Sequence, residues 1–414
     1  MSNQPTLARR LGLFDAVVIG LGSMIGAGVF AAFAPAARAA GGALLLGLSL
    51  AGVVAFCNAA ASAQLAAVYP TSGGTYAYGR KELGHWWGFT AGWCFVVGKT
   101  ASCAAMALTF ASYAVPWAQW QRPVAIAAVI GLAAVNYRGV TRTARLTRII
   151  VAIVLVVLGL AVALGLAGPV AEPIRFIFGA GPLGVVQAGG LLFFAFAGFA
   201  RIATMGEEVR DPERTIPRAI PLALAGAFTV YLLVALMLLR TLGPAALAAS
   251  RAPVADAMAV VGADWAVPVV RAGAAVAALG SLLSLIAGVG RTTLAMARER
   301  DLPGWLAAVH PRYQVPHHAE IALAAMVAVL VAFFDLRGVI GFSSFGVLLY
   351  YGIANASAFR QTNGRRYPRA LQVLGVCLCV SLAFTLPWQS VSAGVAVVLI
   401  GLAGRAIVVS QRNR

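Results

Sequence analysis

Apolar runs of about 20 residues recur along the whole chain, and this length matches the hydrocarbon core of a lipid bilayer. A helix rises about 1.5 Å per residue, so each run can cross a core about 30 Å thick. Of the 414 residues, 61% are hydrophobic and only 11% are charged. Soluble domains are about one quarter charged. These features predict an all-α, polytopic membrane protein.

We predict about 12 transmembrane helices from the apolar runs. We treat residues 1–414 as a single transmembrane domain, because no polar segment between the runs is long enough to fold separately. The predicted spans cover 13–38, 43–68, 88–115, 123–137, 146–168, 185–206, 219–241, 266–290, 320–334, 338–358, 370–386 and 390–408. The lipid bilayer is therefore the first expected partner.

The basic residues predict the orientation of the chain. The net charge is +18, and most Lys and Arg lie in loops that alternate spans place on one side. The densest groups are Arg138/Arg142/Arg145/Arg148, Arg210/Arg214/Arg218 and Arg360/Arg365/Arg366/Arg369. Cytoplasmic loops are enriched in Lys and Arg, so we expect cytoplasmic N- and C-termini and no nucleic-acid partner. The excess of Arg over Lys is typical of GC-rich bacteria, which indicates a bacterial cytoplasmic membrane.

The first span contains an unusual number of glycines. The segment IGLGSMIGAGVF, residues 19–30, includes Gly20, Gly22, Gly26 and Gly28. Each glycine in a helix interior costs roughly 1 kcal/mol relative to alanine. One explanation is a GxxxG motif at Gly22 and Gly26 that lets two membrane helices approach closely. The other is a helix that breaks in mid-membrane, where unwound backbone is tolerated only if it lines a cavity or is buried in protein.

A second glycine in a matching span favours the broken helix. Gly198 lies in the middle of the sixth span, within FFAFAGFA. Transporters built from inverted repeats carry one interrupted helix in each half, at corresponding positions. The first and sixth spans each begin a block of five helices. Two glycine-interrupted spans in corresponding positions are more specific than either one alone.

Three segments make the chain resemble a known family. They are GSMIGAGVF in the first span, FFAFAGFARIAT followed by EEVRDPERTIPRAI in the sixth, and GSLLSLIAGVGRTTLAMARERDLPGWLAAVHPRY at 280–313. Together they are similar to the amino acid–polyamine–organocation (APC) superfamily of permeases. The resemblance implies the 5+5 inverted-repeat fold of the leucine-transporter type, with a first repeat at about 11–168, a second at about 185–360 and two extra C-terminal helices at about 369–408. It also implies secondary transport of amino acids.

The resemblance also implies a substrate site at the two breaks. In the first span the site residues would be Met24, Ile25, Gly26, Ala27 and Gly28. Their free N–H groups would hold the substrate α-carboxylate, since the start of a helix is electropositive. In the sixth span they would be Phe194, Ala195, Phe196, Ala197 and Gly198, whose carbonyls would accept from the α-ammonium. Phe194, Phe196 and Phe199 either wall a side-chain pocket or pack against neighbouring helices.

Lys99 is a charged residue near the middle of the third span. An ammonium there costs about 3 kcal/mol or more, and charged groups inside a membrane mark functional sites by default. Many relatives carry a lysine in the fifth helix, where this chain has Val154. We therefore hypothesise that Lys99 carries the coupled proton instead. The alternative is a structural lysine that binds backbone carbonyls and holds helices together.

The other polar candidates lie nearer the membrane surface or lack charge. Arg201 follows the second break and is expected to pair with a gate carboxylate, Glu207 or Glu208, or else to contact an acidic substrate. Ser281 and Ser284 could join carbonyls of the first span around a cation, although serines in membrane helices more often bond their own backbone. All 13 acidic residues fall at span ends or in loops, which leaves no mid-membrane carboxylate for a proton relay.

The sequence therefore predicts a secondary active amino acid transporter that works by alternating access, driven by protons or by exchange. No nucleotide-binding loop, catalytic constellation or metal-ligand spacing is present, so we expect no enzyme activity, no cofactor and no metal. A polyamine or organic amine carrier is the first alternative, and an ion channel is the second. The expected partner besides the bilayer is an amino acid substrate, a small molecule. Both a monomer and a homodimer remain open.

Overall fold

The computed structural model describes residues 11–69, 73–139, 144–170, 181–203, 205 and 208–412, and its regular elements are helices. Ten helical segments in this part of the chain are long and apolar enough to cross a membrane. Two further apolar helices, His317–Phe333 and Arg369–Thr385, are shorter. Each predicted span overlaps one of these segments. The protein is thus a helical, integral membrane protein, as its sequence predicts.

The first half of the chain contains eight α-helices within the described residues. They are α1 (Leu13–Met24), α2 (Ala27–Ala31), α3 (Phe33–Ala40), α4 (Leu44–Val68), α5 (Gly74–Glu82), α6 (His85–Ala114), α7 (Ala118–Tyr137) and α8 (Ala144–Ala167). The first predicted span is therefore divided among α1, α2 and α3. Gly41, at the junction of α3 and α4, has a φ of 59°, which only glycine adopts readily, and it allows the chain to turn.

The second half contains nine described α-helices and two 3₁₀ turns. The α-helices are α9 (Gly181–Phe196), α10 (Ala200–Ala203), α11 (Pro212–Ala249), α12 (Pro253–Val260), α13 (Ala266–Arg298), α14 (His317–Phe333), α15 (Leu336–Arg360), α16 (Arg369–Thr385) and α17 (Trp388–Arg412). The 3₁₀ turns are Ala197–Phe199 and Gly304–Ala307. The sixth predicted span thus comprises α9, a 3₁₀ turn and α10.

Exposed tryptophans lie at both ends of α6. Trp86 and Trp87 lie at its first turn, and Trp117 and Trp120 lie just beyond its last turn. Tryptophan prefers the interface between lipid and water, because its ring is apolar while its N–H can still bond to water or headgroups. With 30 residues, α6 has a length of about 45 Å and reaches from one interface to the other.

A cluster of ion pairs joins three helices at one end of the molecule; we call it the Asp301 cluster, and it consists of Tyr76, Arg80, Glu299, Asp301 and Arg405. Asp301 accepts from Arg405 at 2.7 Å and from Arg80 at 3.2 Å. Arg80 also contacts Glu299 at 3.0 Å. Burial and a hydrogen bond to Asp301 raise the pKa of Tyr76, so its hydroxyl stays protonated and donates. The cluster thereby fastens α5 and α17 to the end of α13.

Hydropathy did not predict two short helices, α5 and α12, because each is too short to register as a span. Residues of α5 belong to the Asp301 cluster, at the end of α13. The α12 helix packs against α11 and α13 at the opposite end of the molecule. Both helices therefore cover the ends of the central bundle.

Candidate substrate site

The first break separates α1 from α2 at Ile25 and Gly26. The α1 ladder ends with a hydrogen bond from the Ile25 N–H to the Leu21 carbonyl at 2.7 Å. Gly26 then has a φ of −68° and a ψ of −126°, which is outside the helical region. A new ladder begins at Ala27 and continues through Ala32 into α3. The first N–H groups of this new helix have no acceptor within it.

The second break is a tightening of the helix rather than an unwound segment. The α9 helix ends at Phe196, and the 3₁₀ turn at Ala197–Phe199 leads directly into α10. Of the predicted site residues, Phe194, Ala195 and Phe196 form the last turn of α9, and Ala197 and Gly198 lie in the 3₁₀ turn. The switch from i→i+4 to i→i+3 bonding redirects the carbonyls of this segment.

The two breaks are in direct backbone contact. A Cβ atom at Gly28 would lie 2.7 Å from the Cα of Ala195. A Cβ atom at Gly198 would lie 2.7 Å from the amide nitrogen of Met24 and would collide with the Ser23 carbonyl. Real Cβ contacts of this kind do not occur, so both positions require glycine. These glycines let the start of α2 pack against the end of α9, and the 3₁₀ turn against the end of α1.

A small cavity of about 10 Å³ lies beside the first break, with room for about one water molecule. Its lining is Gly22, Ile25, Gly26, Ile150, Val151, Val154, Ala277 and Ser281. The Ser281 hydroxyl is buried and has no hydrogen-bond partner in the described structure. Ser284 donates to the Gly280 carbonyl of its own helix at 3.0 Å. An amino acid would need the surrounding helices to move before it could bind beside this break.

The carbonyls at the second break already accept hydrogen bonds from three side chains. The Tyr231 hydroxyl donates to the Ala195 carbonyl at 2.9 Å. The Ala197 carbonyl accepts from the Lys99 ammonium at 3.1 Å and from the Tyr351 hydroxyl at 3.4 Å. A carbonyl oxygen has two lone pairs, so Ala197 is saturated in this conformation. Any ligand that needs this carbonyl must first displace one of its donors.

Lys99 is buried, with 7% of its surface exposed, and it lies near the middle of α6. In the described structure the Lys99 ammonium makes one hydrogen bond, to the Ala197 carbonyl. An ammonium has three N–H donors, so two remain without an acceptor there. The thiol of Cys103 lies close enough to interact with the Lys99 ammonium. Lys99 takes part in none of the described ion pairs. When protonated, Lys99 therefore brings a positive charge to the second break, and no described carboxylate lies beside it.

The phenylalanines of the sixth span face different neighbours. Phe196 packs edge-to-face against Tyr231 of α11, with ring centroids 4.9 Å apart. Phe199 stacks on Tyr351 of α15 at 4.8 Å. Phe194 is buried, and no ring contact is described for it. Phe196 and Phe199 thus hold the second break against α11 and α15, and Phe194 remains the candidate for a pocket wall.

Tyr113, near the end of α6, contacts the helix that follows the first break. Its hydroxyl donates to the Phe30 carbonyl of α2 and accepts from the Val254 N–H of α12, both at 3.3 Å. The same hydroxyl therefore joins three helices. The ring of Tyr113 also packs edge-to-face against Phe30 at 5.5 Å.

A second group of contacts lies near the beginning of α1 and after α10. Asp15 pairs with Arg148 of α8 at 2.5 Å, and Arg201 pairs with Glu208 at 3.4 Å. The backbone of Leu11 forms an isolated parallel bridge with Val209. The other predicted gate residue, Glu207, lies outside the described residues. These contacts join α1 to α8 and to the segment that follows α10.

Sequence reasoning did not single out Tyr231 and Tyr351, although both donate to the second break. The available signal was a tyrosine inside an otherwise apolar span, because a buried tyrosine hydroxyl usually needs an acceptor. Which carbonyl each hydroxyl reaches depends on packing between α9, α11 and α15. Asp15 and Arg148 were recognised only as charges at span ends.

Two interrupted helices in contact inside an all-helical membrane protein are typical of membrane transport proteins. Comparison with known proteins gives the family. The family described as amino acid permease matches residues 11–409, and the chain belongs to it. Members of this family and the relatives described next are transport proteins, not enzymes. Membership supports transport of amino acids and a small-molecule substrate.

Three relatives illustrate the range of similarity. A protein named as an uncharacterized transporter in Mycobacterium tuberculosis is 60% identical over 99% of this chain and 93% of its own length. Cationic amino acid transporter 7 of Arabidopsis thaliana is 28% identical over 94% of this chain and 72% of its own. The branched-chain amino acid permease of Bacillus subtilis is 25% identical over 97% and 93%, respectively.

Proposed function

We propose that this protein is a secondary active transporter that moves amino acids across the bacterial cytoplasmic membrane by alternating access. The observation that carries the proposal is the backbone contact between the two breaks, at Gly28–Ala195 and Gly198–Met24. Interrupted helices place N–H and carbonyl groups at mid-membrane, where they can bind a zwitterion once the side chains that donate to Ala195 and Ala197 move away. Membership of the amino acid permease family points to the same substrate class.

The proposed layout has 12 spans in a 5+5 inverted repeat, with both termini in the cytoplasm. Contacts at the ends of the shorter helices support it. The α14 helix begins where His318 bonds to the Trp305 carbonyl and ends where Arg122 bonds to the Ala332 carbonyl. The α16 helix begins near Phe359 and ends where Gln187 bonds to the Thr385 carbonyl. Each short helix thus connects opposite ends of the long helices.

We propose that the substrate α-carboxylate binds the N–H groups of the first break and that the α-ammonium binds carbonyls of the second. The first group comprises Met24, Ile25, Gly26, Ala27 and Gly28. The second comprises Phe194, Ala195, Phe196, Ala197 and Gly198. The contacts at Asp15–Arg148 and Arg201–Glu208 would open toward the cytoplasm, and the Tyr113 contacts would open toward the outside.

For coupling we propose that Lys99 carries a proton. Its bond to Ala197 supports this role, because the Lys99 ammonium and the substrate ammonium would use the same carbonyl. Val154, which matches the position of the lysine in many relatives, lines the cavity beside the first break. A cation held there by Ser281, with or without Ser284, is the alternative to a proton on Lys99.

Uptake by the purified protein in proteoliposomes tests the proposal. We expect saturable uptake of at least one amino acid, stimulated when the vesicles are preloaded with the same amino acid. An inward proton gradient should accelerate net uptake, whereas a sodium gradient should not. If uptake follows sodium and not protons, the Lys99 coupling scheme is wrong. If only polyamines are taken up, the alternative amine carrier replaces the proposal.

A further inference from the structure

In the described part of the chain, no carboxylate balances the charge of a protonated Lys99. Lys99 is buried at the second break, and two of its three N–H donors have no acceptor in the described structure. The described carboxylates lie at helix ends or in connecting segments; for example, Asp15 lies in the first turn of α1 and Asp335 caps α15. A buried ammonium without a counter-charge is expensive, because the interior solvates it poorly.

Accepting the proposed function, we infer that the substrate supplies the missing negative charge: it is an amino acid with a second anionic group, and Lys99 binds that group. A neutral amino acid would leave the site with a net positive charge, and a cationic one would add repulsion. An acidic amino acid has one net negative charge, which equals the charge of the Lys99 ammonium. The occupied site is then neutral.

The hydrogen bond between Lys99 and Ala197 places the ammonium where it can serve such a substrate. The Ala197 carbonyl belongs to the segment proposed to hold the α-ammonium. When a substrate carboxylate draws the Lys99 ammonium toward itself, it frees one lone pair of Ala197. The substrate α-ammonium can then take that lone pair. Binding thus replaces the Lys99 ammonium on the Ala197 carbonyl by the α-ammonium of the substrate. The Lys99 ammonium then pairs with the substrate carboxylate, so no charge is left unpaired.

The same charge balance defines the transport cycle. Outside, Lys99 is protonated and the acidic amino acid binds, so the loaded site is neutral. Inside, the amino acid leaves, and the Lys99 ammonium releases its proton to water. The empty site returns with a neutral amine and is again uncharged. One proton crosses with each anionic substrate, and the overall step moves no net charge.

Uptake measurements on matched isosteres test this inference. In proteoliposomes, we expect the wild-type protein to prefer L-glutamate to L-glutamine, or L-aspartate to L-asparagine, by about 10-fold to 100-fold, as for hydrogen bonds to charged groups. L-lysine should not be taken up. An inward proton gradient should accelerate uptake of the acidic substrate, and an imposed membrane potential should not change it.

Variants of the two lysines separate substrate binding from folding. Lys99→Met should lose the preference for the acid over its amide, and Lys99→Arg should keep part of it. Lys81→Met is the matched control, because Lys81 is exposed outside the spans and contacts the ring of Tyr69. It should behave as the wild type. If a variant transports poorly, binding gives a second readout. It is measured as the shift in the thermal unfolding temperature of each purified variant when the same isosteres are added.

The outcomes distinguish this inference from the function on which it rests. Uptake of neutral or cationic amino acids by the wild type, with an unchanged ratio in Lys99→Met, overturns the inference and leaves amino acid transport intact. Absence of saturable uptake of any common amino acid overturns the proposed function. Preference for the acid that persists in Lys99→Met would assign the anionic group to another residue and also overturn the inference.

Discussion

The second break and the Asp301 cluster both contain a buried basic side chain, but only the one in the Asp301 cluster lies beside a described carboxylate. In the Asp301 cluster, Arg405 is 9% exposed and lies 2.7 Å from a carboxylate that is 7% exposed. Arg405 also lies 5.1 Å from the ring of Trp86 and 4.6 Å from that of Phe89. At the second break, Lys99 has one carbonyl and no described carboxylate.

The difference separates charge that holds the structure from charge that is available to a ligand. The charge of Arg405 is balanced by the Asp301 carboxylate, although the Arg405 Nε has no partner in the described structure, and removing one member of the pair leaves the other charge in a poorly solvating interior. Lys99 has no described counter-charge, and an anionic ligand can supply one. We therefore expect Arg405 variants to lose stability and Lys99 variants to lose substrate selectivity.

The largest effect on stability is expected for Arg405→Met. The substitution leaves the Asp301 carboxylate buried without its closest partner, and breaking a buried pair in this way costs about 3–5 kcal/mol. Denaturant titration in detergent gives the free energy of unfolding of the wild type and of the variant, and the difference is the loss of stability. Arg312→Met is the control, since Arg312 is exposed in a connecting segment. A loss below about 1 kcal/mol for Arg405→Met would show that the cluster is not a structural pair.

Lys99→Met should change stability in the opposite direction. A methionine of similar length removes an amine whose protonated form costs about 3 kcal/mol to bury at the membrane centre, while one hydrogen bond to Ala197 is lost. The free energy of unfolding should therefore stay the same or increase. A clear decrease, of the size expected for Arg405→Met, would indicate that Lys99 serves the structure and would remove the contrast between the two regions.

Gly198→Ala tests whether close contact between the breaks is required. The added methyl group would collide with the Ser23 carbonyl, so we expect a loss of about 1–3 kcal/mol in unfolding free energy and a loss of transport. Gly131→Ala in α7 is the control, because no atom lies within 4 Å of its added Cβ. That control should gain about 0.5–1 kcal/mol from helix propensity. Equal effects at both positions would contradict the packing argument.

Asp15→Asn should have the smallest effect on stability. Arg148 is half exposed, and such pairs contribute about 0–1 kcal/mol. The substitution weakens the contact between α1 and α8, so this end of the site, which we propose faces the cytoplasm, should open more often. Labelling of Ser23→Cys by a membrane-impermeant maleimide in inside-out vesicles measures this opening. A labelling rate that Asp15→Asn does not raise would exclude the pair from the gate.

Much of the fold was predictable from local sequence. The spans follow from hydropathy, because their length must match the bilayer. The interruption at Ile25 and Gly26 falls inside the segment that the glycines marked. The second break is less distinct in the sequence, since a 3₁₀ turn keeps its hydrogen bonds and costs little. The loop helix α5 was not predicted, because it is short and polar.

The contacts within the site were not predictable, because they join residues far apart in the chain. Lys99 was recognised as a buried charge, but its bond to Ala197 crosses 98 positions and depends on how α6 packs against the second break. The bond from Tyr351 to the same carbonyl crosses 154 positions. A single sequence gives the chemistry of each side chain, whereas its partner is decided by tertiary packing.

The most direct test of the account is a cryo-electron microscopy structure of the protein with bound L-glutamate. We predict the α-carboxylate at the N–H groups of Gly26–Gly28 and the side-chain carboxylate within about 2.7–3.2 Å of the Lys99 ammonium. The Ala197 carbonyl should then accept from the substrate. A bound amino acid that leaves Lys99 on Ala197, with neither carboxylate near the ammonium, would contradict the account.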